Sequence, residues 1–140
     1  MIFYTDGSCK PSNPGYCGCG VVVIDGEKIV DQISSFLGEG TNNIAELTAI
    51  KIAFEWIRSK GLEWESHTIY SDSNYAIGLL TKNWKASKNQ ELVADLRKLQ
   101  EYLPNTSLIW VKGHNNEKYN ELADKLANQA VDGGMIKLGA

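Results

Sequence analysis

Four acids, Asp6, Glu46, Asp72 and Asp124, stand in contexts where a carboxylate can do more than solvate a surface. Asp6 follows the apolar run Ile2-Phe3-Tyr4-Thr5, and Asp72 follows Ile69-Tyr70-Ser71. A carboxylate buried at such a place is costly unless it meets a cation or a full set of donors. If the two runs are adjacent parallel strands, both carboxylates emerge together outside the carboxyl ends of the strands, where open α/β sheets place their ligands. Glu46 falls in the first turn of a helix, and Asp124 in an early turn of another. Carboxylates brought together repel and raise one another's pKa. Oxygen-only ligands select hard cations such as Mg²⁺ or Mn²⁺, and two such ions about 3.5–4 Å apart form the clamp used in phosphodiester displacement.

Each acid also has a purely structural explanation. Asp6 before Gly7 suits a turn, and Glu46 suits a capping box with Asn43 three residues earlier. Asp72 suits the cap of a short helix, and Asp124 an exposed acid favoured by a helix dipole. His114 suits a surface loop, and His67, at a strand start with no motif around it, reads as structural. The three cysteines, Cys9, Cys17 and Cys19, crowd the first 20 residues. C-x-C with no matching pair does not make a zinc site, and a reducing compartment disfavours a disulfide. Free, half-buried or buried thiols are the expectation.

The elements that would position these residues follow from pattern. Residues 2–6, 17–24 and 28–37 read as strands, the last two joined by the hairpin pair Asp25-Gly26. Thr41-Asn42-Asn43 supplies capping residues for a helix over about 44–60, with Leu47, Ile50, Phe54 and Ile57 as its apolar stripe. A strand at 67–71, a short helix near 75–80, a helix over 89–102, a strand at 108–111 and a helix over 118–131 complete the order. Three strands, then helix–strand–helix–strand–helix, imply an α/β domain with a mixed sheet. A single domain is expected over 1–131, with 132–140 a frayed tail containing Gly133, Gly134 and Gly139.

At 140 residues, with 43% hydrophobic and 22% charged residues, the composition is that of an ordinary globular chain. No apolar run reaches the roughly 20 residues of a membrane span, and the first residues lack the layout of a secretory signal. A cytoplasmic monomer with no membrane partner and no obligatory protein partner is the expectation. The net charge of -3 argues against strong sequence-blind binding to nucleic acid. Setting the four candidate ligands aside leaves 13 of the 17 acids against 14 Lys and Arg, so a metal-loaded face need not repel phosphates.

Five ordered segments resemble the type 1 ribonuclease H family: Tyr4-Thr5-Asp6-Gly7-Ser8-Cys9 with Asn13-Pro14-Gly15, Thr41-Asn42-Asn43-Ile44-Ala45-Glu46-Leu47, Ser71-Asp72-Ser73-Asn74-Tyr75, Trp110-Val111-Lys112-Gly113-His114, and Asn120-Glu121-Leu122-Ala123-Asp124. The correspondence is collinear over nearly the whole chain. It implies a mixed five-stranded sheet, three antiparallel strands then two parallel, with helices on both faces. It also implies an endonuclease that cuts the RNA strand of an RNA–DNA hybrid, with two Mg²⁺ ions, Mn²⁺ as a substitute, and 5′-phosphate and 3′-hydroxyl products. Asp6 would bridge the ions, Asp124 would join it at the water-activating ion, Glu46 and Asp72 would hold the other, and His114 would shuttle protons or help product leave.

For the substrate, the 2′-hydroxyl that separates RNA from DNA would be read by backbone near Gly7 and Cys9, with Asn13, Asn42 and Asn74 adding hydrogen bonds. Thr41 and Asn13 would seat a phosphate of the DNA strand, and such contacts carry little sequence preference. Two departures stand out. Ile44 replaces an arginine common in the family, and only Trp84-Lys85-Ala86-Ser87-Lys88 stands where several relatives carry a long basic protrusion. Lys82, Lys85, Lys88 and Trp84 are the substitutes for that grip, although Trp84 equally suits core packing. Rival readings are an integrase-, transposase- or resolvase-like enzyme on the same architecture, and a hybrid-binding module with a vestigial site.

Overall fold

The computed structural model describes residues 1–113 and 117–139. The chain alternates in the order β1 (Ile2–Lys10), β2 (Gly15–Asp25), β3 (Lys28–Gly40), α1 (Asn42–Ser59), β4 (His67–Ser71), α2 (Asn74–Thr81), α3 (Gln90–Glu101), β5 (Thr106–Trp110) and α4 (Lys118–Lys137). The five strands form one sheet in the order β3-β2-β1-β4-β5. The pairs β1/β2 and β2/β3 are antiparallel, whereas β1/β4 and β4/β5 are parallel. This is the mixed sheet expected; Gly26-Glu27 makes the tight turn between β2 and β3, with Gly26 at φ 64° and Asp25 paired to Lys28 before it.

Helices cover both faces. Phe3, Cys19, Val21 and Val23 point to the face packed by α1, α2 and α3, where Leu47, Ile50, Ile69, Leu79, Val93 and Leu96 complete the larger core. Val22 and Ile24 point the other way, against Ala123 and Leu126 of α4. Buried on both faces, β2 reads as an almost unbroken apolar run, as central strands do. Leu47, Ile50, Phe54 and Ile57 lose nearly all contact with water, and burial of each is worth roughly 1.5–3 kcal/mol. That stripe fixes the rotation of α1 about its axis. Glu46 lies on the same side, four residues before Ile50, so core packing decides where its carboxylate is aimed.

Several boundaries differ from those expected, and three of them, the end of β1, the start of β2 and the end of α4, bear on function. β1 continues through Asp6 to Lys10, and β2 begins at Gly15 instead of 17. The two strands pair along their full length, with Cys9 opposite Cys17. These side chains form a disulfide, their Cα atoms 4.1 Å apart, which corrects the expectation of three free thiols. A pair directly opposed on neighbouring antiparallel strands needs no backbone movement to bridge. Cys19 alone of the three remains a free thiol, and it is fully buried. At the other end, α4 runs to Lys137 instead of stopping near residue 131. Gly134 is buried, and a side chain there would collide with the ring of Phe36 from β3, so the glycine lets the helix continue along the sheet.

The approach of α4 also depends on glycines in β2. A Cβ on Gly18 would lie 2.8 Å from Ala130 Cβ, and one on Gly20 would lie 2.7 Å from Leu126 Cβ and run into the carbonyl oxygen of Ala123. Gly20→Ala must lift α4 from the sheet. The expected cost is about 1–3 kcal/mol, read as a lower urea midpoint with little change in slope. An unchanged midpoint would show that the helix is not held at this distance by the glycine.

Candidate metal centre

The last rung of the β1–β4 ladder pairs Thr5 with Ser71. Asp6 and Asp72 are the next residues of each chain, so they emerge side by side where β4 ends and β1 runs on. Pleat parity puts Asp6 on the α4 side of the sheet, since Tyr4 two residues earlier packs against α4. Gly7 faces α1 closely: a Cβ there would lie 2.6 Å from both Ala45 C and Glu46 N. With no side chain between strand and helix, Glu46 reaches the strand backbone. The Gly7 N–H donates both to Asp6 Oδ1 at 2.9 Å and to Glu46 Oε1 at 3.1 Å.

One oxygen each from Asp6, Glu46 and Asp72 lie within 4.8 Å of one another. Asp124 lines the same cleft of about 280 Å³, facing it from α4. Asp6 is 5% and Glu46 9% exposed. Among the described residues, Glu46 Oε2 is buried without a hydrogen-bond partner. Such an orphan acceptor beside two further carboxylates fits a cation and little else, because leaving it bare costs about 1–3 kcal/mol or more. The donor set is all oxygen, which suits a hard divalent ion.

Register removes the structural explanations of the four acids. Asp6 sits inside a strand, not in a turn. The cap of α1 is Thr41, whose Oγ1 accepts from Ile44 N at 3.3 Å, so neither Asn42 nor Asn43 caps it. Glu46 is therefore the fifth residue of the helix, past the first turn and out of reach of a capping box. Ser73 caps α2, accepting from Ala76 N at 3.1 Å, and leaves Asp72 outside that role. Asp124 is the seventh residue of α4; the first-turn acid is Glu121 and the cap is Glu117.

Burial is the first cause that pushes the Asp6 carboxyl far above the ordinary carboxylate range, followed by the charge of Glu46, with Asp72 and Asp124 adding to it. Burial likewise raises Glu46, with Asp72 and Asp124 contributing, while hydrogen bonds from Asp6 and Gly7 work in the opposite direction. The buried Cys19 thiol is pushed up to about 12, by burial and then by Glu46, which makes it unreactive.

The other expected site residues divide. Gly7, Cys9 and Asn42 line the cleft. Asn13 and Thr41 do not, but Asn13 Oδ1 accepts from Asn42 N at 2.9 Å and so ties the 11–14 turn to the start of α1. Asn74 begins α2 outside the cleft lining. Trp84 packs its ring on Gly78, remains 40% exposed and does not line the cleft. His114 lies outside the described residues. Ser8, Asn120 and Glu121 line the cleft and were missed. Asn120 was findable from sequence, since it precedes Asp124 by four residues and therefore shares its helix face.

The chain is similar to known proteins in both sequence and fold. A family model described as RNase H matches residues 1–132. The ribonuclease H of Ruthia magnifica subsp. Calyptogena magnifica is 37% identical over 145 residues, covering 94% of this chain and 95% of that protein. That of Clostridium botulinum (strain Hall) is 35% identical over 150 residues, with the same coverage of both chains. Among solved structures, LC11-RNase H1 in complex with an RNA/DNA hybrid superposes with a TM-score of 0.83 at 28% identity, covering 96% of this chain and 98% of that one. RNase H1 from Halobacterium salinarum NRC-1 gives 0.81 at 29%, covering 94% and 97%.

The raised carboxyls fix the sign of a pH effect. A folded-state pKa above the unfolded value gives stability that is present at acid pH and is lost as pH rises from the ordinary carboxylate value, about 4, through the folded value. Metal-free protein should lose stability through this pair from about pH 4 to beyond pH 8. Asp6→Asn should remove part of that loss and gain about 1–2 kcal/mol, more at the alkaline end. Thermal denaturation in chelator across this range checks it; a variant less stable than wild type at the alkaline end would contradict the proposed repulsion.

Proposed function

The chain belongs to the ribonuclease H family, and from that premise we propose that it hydrolyses the RNA strand of RNA–DNA hybrids with two divalent ions, leaving 5′-phosphate and 3′-hydroxyl ends. The observation that carries this reading is the buried cluster of Asp6, Glu46 and Asp72, with the unpartnered Glu46 Oε2 inside it and Asp124 on the facing wall. Asp6, lying between Glu46 and Asp124, is the residue suited to bridge two ions. Glu46 and Asp72 would complete one coordination sphere, and Asp124 the other. When bound, such ions supply a nucleophile at neutral pH and charge stabilisation for the departing oxygen. Mg²⁺ is the expected ion and Mn²⁺ a substitute.

The chain's own groups do the positioning. Gly7, Ser8 and Cys9 form one wall of the cleft and Asn42 part of another. A strand edge of backbone amides and small side chains can approach a sugar closely enough to read a 2′-hydroxyl. Asn13, held on Asn42 N, and Thr41 stand beyond the cleft on the side of the 11–14 turn, where a phosphate of the second strand would pass. Contacts of this kind bind backbone and imply little sequence preference. No helix occupies the connection between α2 and α3. Grip on the hybrid there falls to Lys82, Lys85, Lys88 and the exposed edge of Trp84, over which Lys82 Nζ sits at 5.7 Å. Few cations make the binding weak, and the chain is proposed to act as a monomer.

Cleavage of an end-labelled hybrid beside duplex DNA and duplex RNA tests the proposal. Only the RNA of the hybrid should be cut, with Mg²⁺ or Mn²⁺ and not with Ca²⁺. Asp6→Asn and Glu46→Gln should each lower the rate by about 10²–10³-fold or more while still folding and binding hybrid. Cutting of duplex DNA alone, or normal turnover by either variant, would contradict it.

A further inference from the structure

Three residues of β1 that face α4 meet three residues of α4 in succession. Asp6 shares the cleft with Asp124. Ser8 Oγ donates to Asn128 Oδ1 at 2.7 Å. Lys10 Nζ pairs with Asp132 Oδ1 at 3.0 Å. The strand steps by two residues and the helix by four. Two residues of strand advance about 6.8 Å and four of helix about 6.0 Å, so the two spacings stay nearly in step over three rungs. In β2, the neighbour of Asp6 is Gly20 and that of Ser8 is Gly18, and both glycines let α4 come down onto the sheet.

We propose that the Ser8–Asn128 hydrogen bond is a positioning contact that holds Asp124 in register with Asp6 and so sets the affinity of the cleft for divalent ions; this rests on the metal-dependent reading above. The rungs differ in sign. The first brings two carboxyl groups together, which attract only through a shared proton or a cation. The third is an exposed ion pair, its partners 38% and 60% accessible, and such pairs hold little. The middle rung is part-buried, and its asparagine is fixed at its other end, since Asn128 Nδ2 donates to the backbone oxygen of Asp124 at 3.0 Å. Strand, Ser8, Asn128 and the Asp124 backbone thus form one hydrogen-bonded path between the two acid-bearing segments. Without it, the register of Asp124 against Asp6 rests on apolar packing and the Ser34 hydrogen bond, and cation binding must supply the lost alignment. Ser8 and Asn128 act through Asp124; neither is assigned a part in the chemistry.

The test compares Asn128→Ala with Ser34→Ala. Ser34 Oγ donates to Leu126 O at 2.7 Å, tying β3 to the same helix away from the ladder. Mn²⁺ affinity is read by calorimetry or by the free-ion spin-resonance signal, alongside thermal stability and the Mg²⁺ dependence of hybrid cleavage. Asn128→Ala should weaken Mn²⁺ binding and raise the Mg²⁺ half-saturation by about two- to tenfold, the range of one net hydrogen bond. Ser34→Ala should cost comparable stability and leave both metal readouts in place. Ser8→Ala breaks the same bond from the strand side; it should reproduce the Asn128→Ala shift, and the double variant should add little to either. Equal Mn²⁺ affinity in wild type and Asn128→Ala, or an equal weakening in Ser34→Ala, overturns the ladder whatever the wild type cleaves. A wild type that binds Mn²⁺ but leaves hybrid intact removes the functional reading and keeps the ladder. One that binds no Mn²⁺ removes both.

Discussion

Like charges held in a poorly hydrated cleft set the terms for the rest of this structure. Asp6 and Glu46 are nearly sealed from water and share one N–H, that of Gly7. Nothing in such a pair is favourable by itself, because burial and mutual repulsion both oppose ionisation. The fold holds the carboxylates together by spending stability gained elsewhere. The apolar stripe of α1 anchors Glu46 from one face, and the packing of Ala123 and Leu126 on β2 brings α4, with Asp124, from the other. The cation that the cluster fits reverses the sign of these interactions.

Much of this was legible in sequence because it depends on local pattern. The apolar stripe from Leu47 to Ile57 located α1, and Asp25-Gly26 located the β2–β3 turn. The four acids were recognisable by their motifs and order, and the family follows from the same segments. What local pattern could not show was whether each acid served its own element. Glu46 three residues after Asn43 is indistinguishable from a capping-box partner until Thr41 is seen to be the cap. A shift of two residues in the helix start separates a structural glutamate from a candidate ligand.

Other features were hidden because they arise between elements. The segment Lys10-Pro11-Ser12-Asn13-Pro14-Gly15 looks like a loop by composition, yet β1 and β2 pair up to its edges. Ending the first strand at residue 6 left Cys9 outside any strand and concealed its opposition to Cys17. The glycines of α4 suggested fraying, whereas Gly134 is a contact surface for Phe36. Gly18 and Gly20 had a comparable double meaning: absent side chains signal flexibility in an isolated strand and close approach in a covered one. The Ser8–Asn128 contact joins residues 120 apart, beyond any local rule.

The central claim is that Asp6 and Glu46 retain a proton in the metal-free protein because they face one another unshielded, and surrender it to a divalent ion. Calorimetric titration of the metal-free protein with Mn²⁺ near neutral pH, repeated in buffers of different ionisation enthalpy, measures that exchange directly. The account predicts saturable binding whose heat varies with the buffer, corresponding to release of about one proton. Binding with a buffer-independent heat would mean that the cluster is already fully ionised, and the repulsion on which the whole arrangement is argued to turn would be absent.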